Sequence, residues 1–118
     1  MPFEPAMLDP INARLERYMD LLSTRQKLVA SNIANADTPG YHTKDIDFQF
    51  EFLSQIGPDT AATVIEAPGL QAKNDGNNVS IDRESRLLAE NAIRFNLAST
   101  LLKSQMRMVR SAIQEGKS

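Results

Sequence analysis

A chain of 118 residues with 13 Lys and Arg against 15 Asp and Glu carries a formal charge of −2, which gives no electrostatic reason to expect nucleic acid or an anionic membrane as its main partner. It has no cysteine, which excludes disulfides and thiolate metal sites without choosing a redox compartment. The length suits one domain, few aromatics and no Trp limit the core it can build, and no stretch approaches the roughly 20 apolar residues of a membrane span.

Residues 1–10 contain three prolines and neither a basic region nor an apolar run. Residues 1–9 therefore read as a flexible N-terminal segment with no cleaved secretory signal. Asp9-Pro10 reads as an N-cap followed by proline at the first helical position. From there Ile11, Leu15, Tyr18, Leu22, Val29, Ile33 and Ala36 follow a three-four spacing that Arg25 interrupts, which predicts one amphipathic helix over 10–36. Pro39 drives Thr38 out of the α region and Gly40 accepts positive φ, so the helix ends by about Asp37.

The segment 38–79 reads as irregular. Residues 37–79 hold four of the five glycines and three of the six prolines. Ile46, Phe48, Phe50 and Phe52 alternate with polar residues, which fits a half-buried strand that Thr63-Val64-Ile65 could partner. A helix capped by Asp45, with Phe48, Phe52 and Ile56 every four residues, competes with that reading.

A second periodic block follows the turn-rich Asn74-Asp75-Gly76-Asn77-Asn78. Ser80 or Asp82 can cap it, Glu84 suits its first turn, and Gly116 is a plausible stop. Ile81, Leu88, Phe95, Leu102 and Val109 recur every seven residues, with Ala92, Ala98, Met106, Ala112 and Ile113 beside them. This predicts a coiled-coil-like helix of about 33 residues. The fold expected is mainly α: two long terminal helices in an antiparallel coiled-coil hairpin, with 10–37 and 80–115 as its discontinuous core and a loop-rich middle holding little or short β structure. One hairpin cannot cover both helices. Leu21, Leu28, Leu87, Leu97 and Leu101 lie off the main stripes and call for a neighbour.

The residues offer no catalytic constellation. His42 is the one histidine, which argues against a Ser/His/Asp triad or a multi-histidine metal site, and a plain surface histidine is the simpler reading. Asp37-Thr38-Pro39-Gly40 lacks the second copy that paired-carboxylate chemistry requires. Asp45, Asp47 and Glu51 lack the spacing of a calcium loop and read as a solvated strand face. The glycines are too scattered to cradle phosphate. No catalytic, cofactor or metal site is expected. Asn32 and Asn35, three apart on one helical face, have two readings that do not exclude each other: bonds to the loop that ends the helix, or a contact with another subunit.

The run Ala30-Ser31-Asn32-Ile33-Ala34-Asn35-Ala36-Asp37-Thr38-Pro39-Gly40-Tyr41 closely resembles the N-terminal motif shared by flagellar rod and hook axial proteins. Lys44-Asp45-Ile46-Asp47-Phe48, Gly76-Asn77-Asn78-Val79, Asp82-Arg83-Glu84 and Leu88-Ala89-Glu90-Asn91 are most similar to the proximal rod members. The resemblance covers about two thirds of the chain, including both helices.

It implies a non-enzymatic structural subunit of the basal-body rod, the hollow helical shaft that crosses the periplasm and transmits torque. The implied partners are copies of the chain, other flagellar rod proteins, the rotor/rod junction protein and the flagellar export apparatus, with no nucleic acid and no membrane insertion. The implied assembly contacts are Asn32, Ile33, Asn35, Asp37, Thr38, Pro39, Gly40 and Tyr41 in the motif, Ile46 and Phe48 beyond it, and Leu88, Phe95, Leu102, Met106 and Val109 on the second helix. The middle segment is shorter than is common in the family, which implies a small or absent outer domain. A sister axial protein, or a soluble helical adaptor or chaperone holding a partner helix, are the alternatives.

Overall fold

The computed structural model describes residues 9–54 and 61–116. Five elements follow in order: α1 (Asp9–Ala34), β1 (Lys44–Ile46), α2 (Phe48–Leu53), β2 (Val64–Glu66) and α3 (Ile81–Glu115). The chain is mainly helical, and its expected flexible segment lies outside the described residues apart from Asp9. Ile56, invoked for a longer middle helix, also lies outside them. Among the described residues no helix is long and apolar enough to cross a membrane.

The two long helices form the expected antiparallel hairpin, with cross-links from Asn32 to Glu84 and from Gln26 to Asn91. At 1.5 Å per residue α1 is about 39 Å long and α3 about 52 Å. Continuing that register sets Asp9 beside residues 107–108, so the last two turns of α3 run past the start of α1. Ser80 caps α3 by accepting from Arg83 N at 3.2 Å, and Gly116 closes it. Helix α1 stops through tightened turns, Ala36 N donating to Ile33 O and Thr38 N to Asn35 O, before Pro39 withdraws a donor altogether.

The seam is rotated from the expected stripe. Leu21, Leu22 and Val29 of α1 are buried, and on α3 the buried positions are Glu84, Leu87, Asn91 and Ala98. Leu21 and Leu87, expected to need an outside neighbour, find one within the chain. Leu21 lies one turn from both Arg17 and Arg25, whose side chains reach Glu51 and Asp45, so it shares the flank of α1 that the β1–α2 layer covers. The heptad stripe starts exposed, with Ile81 at 49%, Leu88 at 41% and Phe95 at 39%, and only Leu102 and Val109 become half-buried. A straight helix drifts about 20° per heptad, so a seven-residue line that begins outside the seam turns into it four repeats later.

The phenylalanine strand is not formed. β1 ends at Ile46, pairing antiparallel with β2 as Lys44↔Glu66, Asp45↔Ile65 and Ile46↔Val64. Asp47, not Asp45, then caps α2, its Oδ1 accepting from Phe50 N at 3.1 Å. Helical spacing puts Phe48 and Phe52 together against Tyr18, with ring centroids 5.4 and 5.7 Å away, and turns Phe50 to solvent. A strand would have sent all three rings to one face, where Tyr18 offers room for two.

Leu21→Ala is expected to destabilise the monomer by about 2–4 kcal/mol, whereas Leu88→Ala should stay within about 0.5 kcal/mol. Urea denaturation of the two variants at a concentration where the protein is monomeric measures the difference.

Candidate functional site

The segment 31–48 folds into a polar knot at the closed end of the hairpin. Asn32 is wholly buried at its centre. Its Oδ1 accepts from Tyr41 Oη at 2.9 Å and Lys44 N at 3.0 Å, and its Nδ2 donates to Lys44 O at 2.8 Å and Glu84 Oε2 at 3.2 Å. Two donors and two lone pairs are all that a carboxamide has. One side chain thus joins α1 to the turn, to both backbone groups of the first β1 residue and to α3.

Around it sits a balanced charge set. Arg25 grips Asp45 through two bonds of 3.0 Å, Nε to Oδ1 and Nη2 to Oδ2. Arg83 bridges Asp45 Oδ2 and Glu84 Oε1. Asp45 and Glu84 are buried, and two guanidinium groups meet two carboxylates there. Burial alone would raise the Asp45 carboxyl, but the Arg25 hydrogen bonds, the Ile46 N–H at 2.7 Å, the Arg25 charge and the Arg83 bond together hold it below the usual carboxylate value.

The 73–79 loop closes the knot from the other side. Asn77, fully buried, donates to the carbonyls of Asn35 and Thr38 at 2.9 and 2.8 Å. Asn78 Oδ1 accepts from the backbone N–H and the hydroxyl of Thr43, and Gly40 N donates to Asp75 O at 2.9 Å. Gly40 and Gly76 both hold positive φ, at 74° and 86°, and a Cβ on Gly76 would lie 3.3 Å from Gly40 Cα. Glycine at 76 lets the two turns touch.

The sequence-derived site residues therefore divide into three groups. Asn32, Asn35, Thr38, Gly40, Tyr41, Ile46 and Phe48 come together at the knot and the layer beside it. Ile46 is buried, Phe48 half-buried, and Asn35 bonds its own turn through Ser31 O and Thr38 Oγ1. Ile33, Asp37 and Pro39 are exposed at its rim, while Leu88, Phe95, Leu102, Met106 and Val109 lie apart along α3. The acidic trio is no solvated strand face. Asp45 and Glu51 are buried, Glu51 accepting from Thr63 N at 3.0 Å and lying 3.5 Å from Arg17, while Asp47 caps α2. Among the described residues no cluster of His, Cys, Asp or Glu could hold a metal ion. His42 is exposed, with Nδ1 3.3 Å from Glu66 Oε2.

Arg25, Arg83, Glu84, Asn77 and Asn78 are knot residues that sequence reasoning did not name as site residues. Arg25 left a signal as a charge standing on an apolar stripe, Glu84 as an acidic residue of a first helical turn, and Asn77 and Asn78 as part of a turn-rich run. Every charged group in the knot is consumed by an internal partner, so its chemistry is that of a clasp that fixes how the two helices face each other.

Residues 19–42, which contain Arg25, Asn32, Gly40 and Tyr41, match the family model described as flagella basal body rod protein. The chain is 33% identical over 137 residues to the flagellar basal body rod protein FlgB of Escherichia coli (strain K12), covering 93% of this chain and 99% of the relative. It is 31% identical to FlgB of Salmonella typhimurium with the same two coverages. FlgB of Borrelia hermsii is 28% identical over 123 residues, with 83% and 91% covered.

Asn32→Ala leaves Lys44 N, Tyr41 Oη and part of the Glu84 carboxylate without their partner, and is expected to cost about 2–4 kcal/mol. Asn35→Ala, whose side chain is at the surface end of the turn, should cost under about 1 kcal/mol, both read by urea denaturation. Because the folded-state pKa of Asp45 is lowered, its contribution is complete above the ordinary carboxylate value of about 3.9 and is lost as pH falls through the lower folded value. Stability measured down to pH 2 should therefore fall along a limb that Asp45→Asn flattens, that variant being already less stable at pH 7.

Proposed function

This chain belongs to the flagellar basal body rod protein family; we propose that it is a non-enzymatic structural subunit of the rod, assembling through its two long helices with copies of itself and with other rod proteins in the periplasm-spanning shaft that carries torque. The observation that supports this best is the division of labour along the hairpin. One end is locked internally by buried hydrogen bonds, while α3 leaves Leu88, Phe95, Leu97, Leu101, Met106, Met108 and Ile113 between 39% and 60% exposed. A helix pair so rich in uncovered apolar positions is built to be completed by neighbours.

Within this reading the assembly contacts fall on the α3 stripe, Leu88, Phe95, Met106 and the half-buried Leu102 and Val109, and on the exposed rim of the turn at Ile33, Asp37 and Pro39. Asn32 and Ile46 act indirectly, by holding that rim in shape. The rotor/rod junction protein and the export apparatus are the further partners. Burial of the stripes between subunits offsets the ordering of long helices that a lone chain covers only in part.

The test is a strain lacking its own copy of the gene, complemented with this chain or with a Leu88→Glu, Phe95→Glu double variant. The parent chain should restore swimming and rods in extracted basal bodies, and the variant, still helical by circular dichroism, should restore neither. Full motility with the variant, or a stoichiometric one-to-one complex with a soluble partner in place of rods, would replace this reading with that of a helical adaptor.

A further inference from the structure

Toward the open end of the hairpin, Leu15 and Tyr18 of α1, Phe52 of α2 and Leu97 and Leu101 of α3 wall a groove of about 440 Å³. Among the described residues its charged lining is two arginines, Arg14 and Arg94, both exposed. The Arg14 guanidinium lies 5.4 Å from the centre of the Phe52 ring, and among the described residues neither arginine forms an ion pair. An apolar trough edged by cations fits an apolar segment that bears a carboxylate.

Residues 1–8, outside the described residues, have that composition. Met1, Phe3, Met7 and Leu8 are apolar, and Glu4 is the one ionisable side chain. Pro2 and Pro5 stand three apart, and Glu4, which precedes Pro5, is biased with them toward the extended polyproline form. Segments of that kind lie on aromatic-lined grooves, and their stiffness lowers the entropy lost on docking. Tyr18 and Phe52 supply the aromatic wall. Chain length selects this groove over the one lined by Leu22, Ala30 and Phe95. With Met7 and Leu8 reversing the chain at the start of α1, the six residues before them reach about 20 Å back along the helix at 3.3 Å each. Tyr18 lies about 14 Å from Asp9 at 1.5 Å per residue, whereas the second groove runs from about 20 Å at Leu22 to about 32 Å at Ala30. Glu4 then comes about 10 Å back and Phe3 about 13 Å, beside the turn that holds Arg14 and beside Tyr18.

We infer that residues 1–8 fold back along α1 and seat in this groove of their own chain, Glu4 at Arg14 and Phe3 against Tyr18 and Phe52. A tethered segment meets its site at about millimolar effective concentration, so a contact too weak to hold a free peptide holds here. Ile11, Leu97 and Leu101, 45%, 60% and 46% exposed, gain a cover, and a neighbour using this face has first to displace it. The contact lies within one chain and stands apart from the rod reading, whose complementation assay does not decide it.

The chain has no tryptophan, so Phe3→Trp supplies a single reporter. At a concentration where sedimentation shows monomer, its emission should be blue-shifted and its quenching by acrylamide well below that of a free peptide of residues 1–8 carrying the same change. Glu4→Arg and Arg14→Glu, each added to that background, should raise quenching about threefold toward the free peptide's. The two together should restore the shielding, because the ion pair is rebuilt with its signs exchanged. Far-UV circular dichroism like the parent's confirms the fold, and Leu97→Glu in the groove wall serves if Arg14→Glu unfolds. A reporter quenched like the free peptide, single variants that leave it shielded, a double variant that stays open, or shielding that grows with protein concentration, which marks a second copy in the groove, would overturn the inference.

Discussion

The structure depends on the amide of Asn32, which bonds the turn, the start of β1 and α3 at once. No other residue type meets the same demands. Asp would remove both donors and place a second negative charge beside Glu84, while Ala would leave buried polar groups without partners. A cluster of two arginines and two carboxylates surrounds it, and such buried ion sets contribute less to net stability than to the choice of one arrangement over others. Here the arrangement chosen is the rotation of α3 about its own axis.

That rotation decides which residues the protein spends on its own fold. With Glu84 and Asn91 drawn inward by Asn32 and Gln26, the positions that follow them on the wheel, Leu87 and Ala98, become the apolar seam. The heptad line is left a turn to one side, where it meets α1 only near its C-terminal end. The polar knot and the exposed stripe are thus two aspects of one geometry. A hairpin free to rotate would bury its best apolar line and keep little to offer a neighbour.

Much of this was legible in the residues themselves. Three-four spacing from Ile11 to Ala36, a proline and a glycine after Asp37, and Ser80 ahead of a seven-residue repeat located both helices within a residue or two. The rotation of the seam was not legible, because its α3 side is built partly from Glu84 and Asn91, and apolar periodicity is blind to polar residues in a core. The phenylalanines misled for a related reason. Their alternation matches a strand and their four-residue spacing matches a helix, and only the position of Tyr18, brought by a distant helix, decides between them. Asp45 looked solvated because its partners, Arg25 and Arg83, stand far away in the chain.

The clasp sits at one end of the hairpin only, and this gives the folding reaction a direction. Closing the loop between α1 and α3 costs chain entropy once, and the knot is where the compensating bonds are densest. After it forms, each further turn of the α1–α3 seam adds contacts between groups already held close, from Gln26 and Asn91 toward the far end. The open end of the hairpin, where Asp9 meets residues 107–108, lies farthest from those bonds. A polypeptide delivered in extended form would reach a site of assembly with its hairpin initiated and its final turns still able to choose between its own partner helix and a neighbour's.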